Sequence, residues 1–133
     1  MGKTRPSRRI QKEPSLMNIE DIQAYCRSKK GVTEEFPFDN DTLVFKVKNK
    51  MFLLVGLENH PISINVKCDP EIAIELRENS PFVNPGYHMN KKHWNTIILD
   101  NSLSNEFLKE QISNSYDLVV KSLSKKLKEE LNG

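Results

Sequence analysis

Two apolar segments, "TLVFKV" at 42–47 and "KMFLLVGL" at 50–57, are separated only by Lys48-Asn49. Strand-length runs this close together can bury a common face only by folding back on each other. The tight two-residue turn that allows this needs positive φ, which Asn tolerates. A β-hairpin is therefore expected, with Phe45 opposite Phe52. The stretch 51–57 is also the longest apolar run in the chain. It is strand-sized, well short of the ~20 residues a membrane-spanning helix needs.

The next segment, "ISINVK" at 62–67, alternates Ile62, Ile64 and Val66 with Ser63, Asn65 and Lys67. Such alternation predicts a strand with one buried and one wet face. "NTIILD" at 95–100 reads as a further strand.

Helices flank these strands. Asn18 is placed to cap a helix whose first turn holds Glu20 and Asp21. Its apolar stripe is Ile19, Ile22 and Cys26, with Gly31 as the stop signal. In "DPEIAIELRENSP" at 69–81, Asp69 is the cap, Pro70 the first helical residue and Pro81 the end. A long last helix is expected from about Ser104. Leu103 and Leu108 form its hydrophobic staple, and one apolar face runs through Ile112, Tyr116, Val119, Leu123 and Leu127. Its lysine-rich end suits a helix C-terminus. The fold class is α+β, an antiparallel sheet with helices packed on one face, including an N-terminal helix and a long C-terminal helix.

A length of 133 residues, with 37% hydrophobic and 29% charged residues, suits one domain with its own core. The first 16 residues hold five bases and one acid, a net charge of +4, with almost nothing apolar. They are expected to be a disordered basic leader, and 17–133 the single domain. The whole chain carries only +2, so the domain is left with −2 and its partners must be chosen by local patches. Cys26 and Cys68 lie in no CxxC pair, and the chain shows no signal peptide. Buried free thiols in a reducing cytoplasm are the expectation.

Four blocks carry a resemblance: "PFDNDTLVFKVKNKMF", "VKCDPEIAIELRE", "NPGYHMNKKHWNTIILD" and "SYDLVV". In this order, from about Met17 to Leu127, the chain resembles the MmcQ/YjbR family of small bacterial proteins. The resemblance implies a frataxin/CyaY-like fold, also described as a double-wing α/β arrangement, and DNA binding. Members of the family often have glycine at the first hairpin; this chain has Lys48-Asn49.

The residues themselves offer two kinds of site. Lys46, Lys48 and Lys50 on the hairpin, Lys67 closing the next strand, and Lys91 and Lys92 could neutralise phosphates. Against that, lysines also guard a hairpin edge from aggregation. The stretch "PGYHMNKKHW" at 85–94 could line a pocket between the sheet and the last helix. It would be built from Tyr87, His88, Lys91, His93, Trp94 and Tyr116, with Tyr87, His88 and Trp94 able to stack on an unpaired base. Trp94 as core, and Asn90 and Asn95 bonding nearby backbone, are the structural readings of the same stretch. His88 and His93 are five apart, not on one helical face, and no cysteine has a ligand partner at a known spacing. The carboxylates Glu34, Glu35, Asp39 and Asp41 lie outside the first helix. Neither a metal site nor a cofactor is expected, and no nucleophile–base set is recognisable. The chain is thus expected to be a monomeric, non-enzymatic DNA-binding protein with no membrane partner. The alternative is a module holding a small anion or a protein in the 85–94 pocket.

Overall fold

The computed structural model describes residues 17–86, 89–100 and 103–133. The basic leader, Tyr87 and His88 lie outside the described residues. Ten elements follow in order: α1 (Ile19–Arg27), β1 (Val32–Glu35), β2 (Thr42–Val47), β3 (Lys50–Gly56), β4 (Ser63–Lys67), α2 (Pro70–Asn79), β5 (Val83–Pro85), β6 (Trp94–Ile98), α3 (Asn105–Lys121) and α4 (Lys125–Asn132). The strands form one sheet in the order β1-β2-β3-β4-β6-β5, with every neighbouring pair antiparallel. The α+β architecture is the one the sequence predicts.

Local signals act where the sequence puts them. Asn18 and Asp21 form a reciprocal capping box at α1. Asp69 caps α2, with Pro70 in its first turn. Lys48 and Asn49 both take positive φ, 50° and 64°, and close the β2–β3 hairpin. β1 and the three-residue β5 have no alternating apolar pattern of their own. They form because each pairs with a stronger neighbour, β1 with β2 and β5 with β6.

Two expectations need correction. Phe45 pairs with Leu53, not Phe52, because β3 carries one extra residue between the Lys46–Met51 and Phe45–Leu53 pairs. That bulge turns Phe52 inward, and the two rings still meet in the core at 6.4 Å. The last helix is also not continuous. α3 ends at Lys121, with Ser122 as its C-cap, and Ser124, in extended conformation, caps a new helix by accepting from the Leu127 N–H. The break lets Leu123 and Leu131 both reach the core.

Strand alternation sorts the side chains. Phe45, Val47, Leu53, Val55, Ile64, Val66 and Ile97 join Ile22, Leu108, Ile112 and Val119 from the helices in the main core. Among the described residues the other sheet face carries no helix. On it a second, small cluster of Val44, Leu54 and Trp94 is covered by Met51 and Met89.

The bulge leaves a break in the ladder. β3–β4 pairing stops at Leu53–Val66, so Phe52 and Lys67 do not pair directly. Ser115 of α3, fully buried, fills the gap. Its hydroxyl donates to the Phe52 carbonyl (2.5 Å) and accepts from the Lys67 N–H (2.8 Å). The next residue, Tyr116, packs edge-on against Phe52 at 5.4 Å and donates to the Lys30 carbonyl. Among the described residues, no helix is long and apolar enough to cross a membrane.

Ser115→Ala is expected to leave two buried backbone groups unpaired. The cost is on the order of 1–3 kcal/mol for each, read as a lower urea midpoint. Ser28→Ala, on the exposed end of α1, is expected to stay within about 0.5 kcal/mol of the parent.

Candidate functional site

The six lysines named from the sequence gather at one end of the sheet. Lys46 and Lys48 come from the end of β2 and its turn, Lys50 from the start of β3, and Lys67 from the end of β4. Lys91 and Lys92 sit in the loop entering β6, whose first residue, Trp94, is the cross-strand partner of Lys67. Alternation puts Lys46 and Lys67 on the helix-free face. Their engagements differ. Lys46 pairs with Glu35 of β1 at 2.5 Å and Lys48 with Glu130 of α4 at 3.1 Å. Lys91 turns back on its own loop and donates to the Gly86 carbonyl at 3.1 Å. Lys50, Lys67 and Lys92 have no acidic partner among the described residues.

The 85–94 loop is held by its own polar groups and by α2. Asn90 accepts from the Lys92 N–H through its side chain (2.9 Å), and its carbonyl accepts from the His93 and Trp94 N–H groups. The His93 carbonyl in turn accepts from the Cys68 N–H at 2.7 Å. Arg77 reaches in from α2. Its Nε donates to Asn95 Oδ1 (2.7 Å), and its Nη2 to the carbonyls of Lys91 and Trp94. The sequence did not mark Arg77, which reads as an ordinary basic residue in the last turn of a helix. Only its partners show that it clamps this loop. Gly86 donates to the Trp94 carbonyl at 2.9 Å, and a Cβ there would stand 2.8 Å from Trp94 Cβ, so glycine is required by close approach.

Of the predicted pocket members, Trp94 and Tyr116 do not converge. Trp94 packs on the helix-free face, 8% exposed beneath Met51 and Met89, while Tyr116 lies in the core on the other side of the sheet. The Tyr116 hydroxyl meets the Lys30 carbonyl, not the 85–94 loop. The space between sheet and α3 is filled by core.

A concavity of about 1090 Å³ lies instead on the helix-free face. Its floor includes Thr42, Leu54, Ser63, Asn65, Thr96 and Ile98. Phe38 and Asp39 wall one side, and Asn59, His60 and the cis-linked Pro61 stand near one end. Met51, Met89 and Asn90 border it toward the lysines. Sequence reading missed this groove because its floor is the polar half of an alternating pattern, spread over strands far apart in the chain. The polar groups of its floor are uncharged hydroxyls and amides, and Asp39 stands on its wall. That carboxylate accepts from the N–H groups of Asp41 and Thr42, which hold its pKa below the ordinary value.

Nucleophilic groups are quenched rather than activated. Burial pushes the Cys26 thiol up to about 12, against a smaller opposing pull from Lys29. Burial, with Asp69 adding to it, raises Cys68, and burial with Asp117 raises Tyr116. Among the described residues no three His, Cys, Asp or Glu side chains are grouped to hold a metal ion.

Comparison with known proteins places this geometry in context. A family model described as YjbR matches residues 27–118. The uncharacterized protein YbdF of Escherichia coli O157:H7 is 36% identical over 91 residues, covering 68% of this chain and 75% of that protein. The uncharacterized protein YjbR of Escherichia coli K12 is 33% identical over 108 residues, 80% of this chain and 91% of that one. Among solved structures, Deinococcus radiodurans protein DR2400, with a DUF419 domain, superposes with a TM-score of 0.84. It has 39% identity and covers 88% of this chain and 89% of that one. A Pseudomonas syringae protein gives a TM-score of 0.65 at 28% identity, over 77% of this chain and 98% of its own.

Arg77→Ala removes donors from Asn95 and from two loop carbonyls. A loss on the order of 1–3 kcal/mol is expected in chemical unfolding. Arg77→Lys is expected to recover little of it, because an ammonium cannot reproduce the planar fork. For Cys26, a folded pKa above the unfolded value means that the folded state keeps its proton longer. Stability is then full below the ordinary thiol value of 9.0 and falls as pH rises toward about 12. The contribution is at most about 1.4 kcal/mol per pH unit. Urea midpoints measured from pH 8 to 11 are expected to fall more steeply for the parent than for Cys26→Ala. At pH 8 a thiol-specific reagent is expected to label Cys26 only as fast as the chain opens.

Proposed function

The chain belongs to the YjbR family, and on that premise we propose that it is a DNA-binding module that works from the lysine end of its sheet. On this reading it is a cytoplasmic, single-domain, monomeric protein that performs no catalysis and needs no cofactor. One observation carries the proposal. Lys46, Lys48, Lys50, Lys67, Lys91 and Lys92, contributed by three separate stretches of sequence, collect at one end of a domain whose net charge is −2. A random scatter of charge on a slightly acidic domain does not favour such a patch. Phosphates are the ligand class a cluster of this kind attracts, with affinity that falls steeply as salt rises.

The engagements of these lysines divide their roles. Lys50, Lys67 and Lys92 are free to meet phosphate directly. Lys46 and Lys48 can do so only by exchanging Glu35 and Glu130 for the ligand. Lys91, folded onto Gly86, acts on the shape of the loop. The alternative is a module that holds a small anion, through His88, Lys91 and Lys92, or a protein in the 85–94 pocket; the bond to Gly86 turns one of the three Lys91 donors back onto the loop.

Binding of a short DNA to the full chain is expected to weaken linearly in log–log form as salt rises. Lys50→Gln, Lys67→Gln and Lys92→Gln together should remove about one unit of salt slope per lysine without a change in melting temperature. The leader needs its own control, because a segment with five bases and one acid can bind DNA by charge alone. A chain with Lys3, Arg5, Arg8, Arg9 and Lys12 changed to Gln should keep the part of the slope that the sheet lysines supply. If this control chain shows no DNA binding at low salt, the proposal is wrong.

A further inference from the structure

The groove on the helix-free face is not needed to explain phosphate binding, and its chemistry is of another kind. Its floor offers hydroxyl and amide groups rather than charges. Thr96 Oγ1 donates to Asn65 Oδ1 at 2.5 Å, so the Asn65 Nδ2 donor is left to the groove. Asn59 Nδ2 donates to Ser63 Oγ at 3.0 Å, which leaves the Ser63 hydroxyl proton and Asn59 Oδ1 available. Leu54 and Ile98 lie between these polar groups. Phe38, 64% exposed on the wall, presents an aromatic ring with no ring partner among the described residues. The lysine end, with Lys46 and Lys67 on this same face, borders the groove beyond Met51.

We propose that this groove seats the unpaired bases of a single-stranded nucleic acid whose phosphates run toward the lysines. The inference rests on the DNA-binding reading above and goes further, because it selects a strand over a duplex. Three features fit one occupant. A flat neutral base with donor and acceptor edges matches an amide-and-hydroxyl floor. Its π-face matches Phe38, and stacking of this kind tolerates any sequence. The negative strand backbone matches a positive end, whereas a neutral floor carries no charge to repel or attract it. A volume of about 1090 Å³ exceeds what one base fills, in keeping with a strand lying along the face. A duplex stacks its base faces and pairs their Watson–Crick edges, so it can use the lysines but not the groove.

The test measures binding of the full chain, with its five leader bases changed to Gln, to a 15-nucleotide single strand and to the duplex of the same length. The strand is expected to bind about ten-fold more tightly than the duplex. Phe38→Ala is expected to weaken the strand about ten-fold and leave the duplex unchanged. Asn65→Leu, which removes the floor donor at similar size, should act in the same direction. Phe38 is exposed, so its variant keeps the test valid if Asn65→Leu fails to fold. Equal affinity for strand and duplex, with neither variant altering the strand, overturns the groove as a base site and leaves the lysine end standing. Binding to neither nucleic acid overturns both.

Discussion

One serine hydroxyl joins the two halves of this fold. The bulge at Phe52 opens the β3–β4 ladder, and Ser115 closes it by taking both the orphaned carbonyl and the orphaned N–H. A buried backbone group without a partner is costly, so α3 has little freedom to slide or rotate over the sheet. Its other contacts follow from that register. Tyr116 meets Phe52 and the Lys30 carbonyl, and Ile112 and Val119 reach the same core. With α3 fixed on one face and α1 and α2 beside it, the described helices leave the other face open.

The open face is shaped by a second set of constraints at the far side of the sheet. Arg77 holds the 85–94 loop by its carbonyls, and Gly86 lets that loop approach Trp94 closely. The loop then lays Met89 over Trp94. The described residues that read as candidates for stacking or phosphate contact thus divide between packing and display. Trp94 packs. Lys46 and Lys67 share the groove's face beyond Met51, and Asn90 forms part of its rim. The charge at this end and the neutrality of the floor are properties of different strands brought side by side.

Much of the fold was legible because it rests on local rules. Asn18, Asp69 and Pro70 start helices for reasons internal to a few residues, and Lys48-Asn49 turn because both accept positive φ. The period-two pattern of 62–67 announced its own buried and open faces. The features that escaped were those decided by partners distant in sequence. The β1 and β5 edges exist through their neighbours. The bulge that moved Phe45 from Phe52 to Leu53 is supported by a serine on α3. The break at Ser122–Ser124 follows from Leu123 and Leu131 both needing the core.

The sequence by itself determined the types of the elements with local signals, the antiparallel hairpin, the starts of α1, α2 and α3, and the family. Each of these depends on side-chain chemistry within a few residues or on ordered blocks. Only the tertiary structure decided which side chains share a surface. It separated Trp94 from Tyr116 by a sheet's thickness and drew lysines from three stretches to one end. It also assembled a groove from the polar halves of several strands. Neighbourhood across a sheet is set by register and by which face the helices occupy, and neither is written in any single segment of the chain.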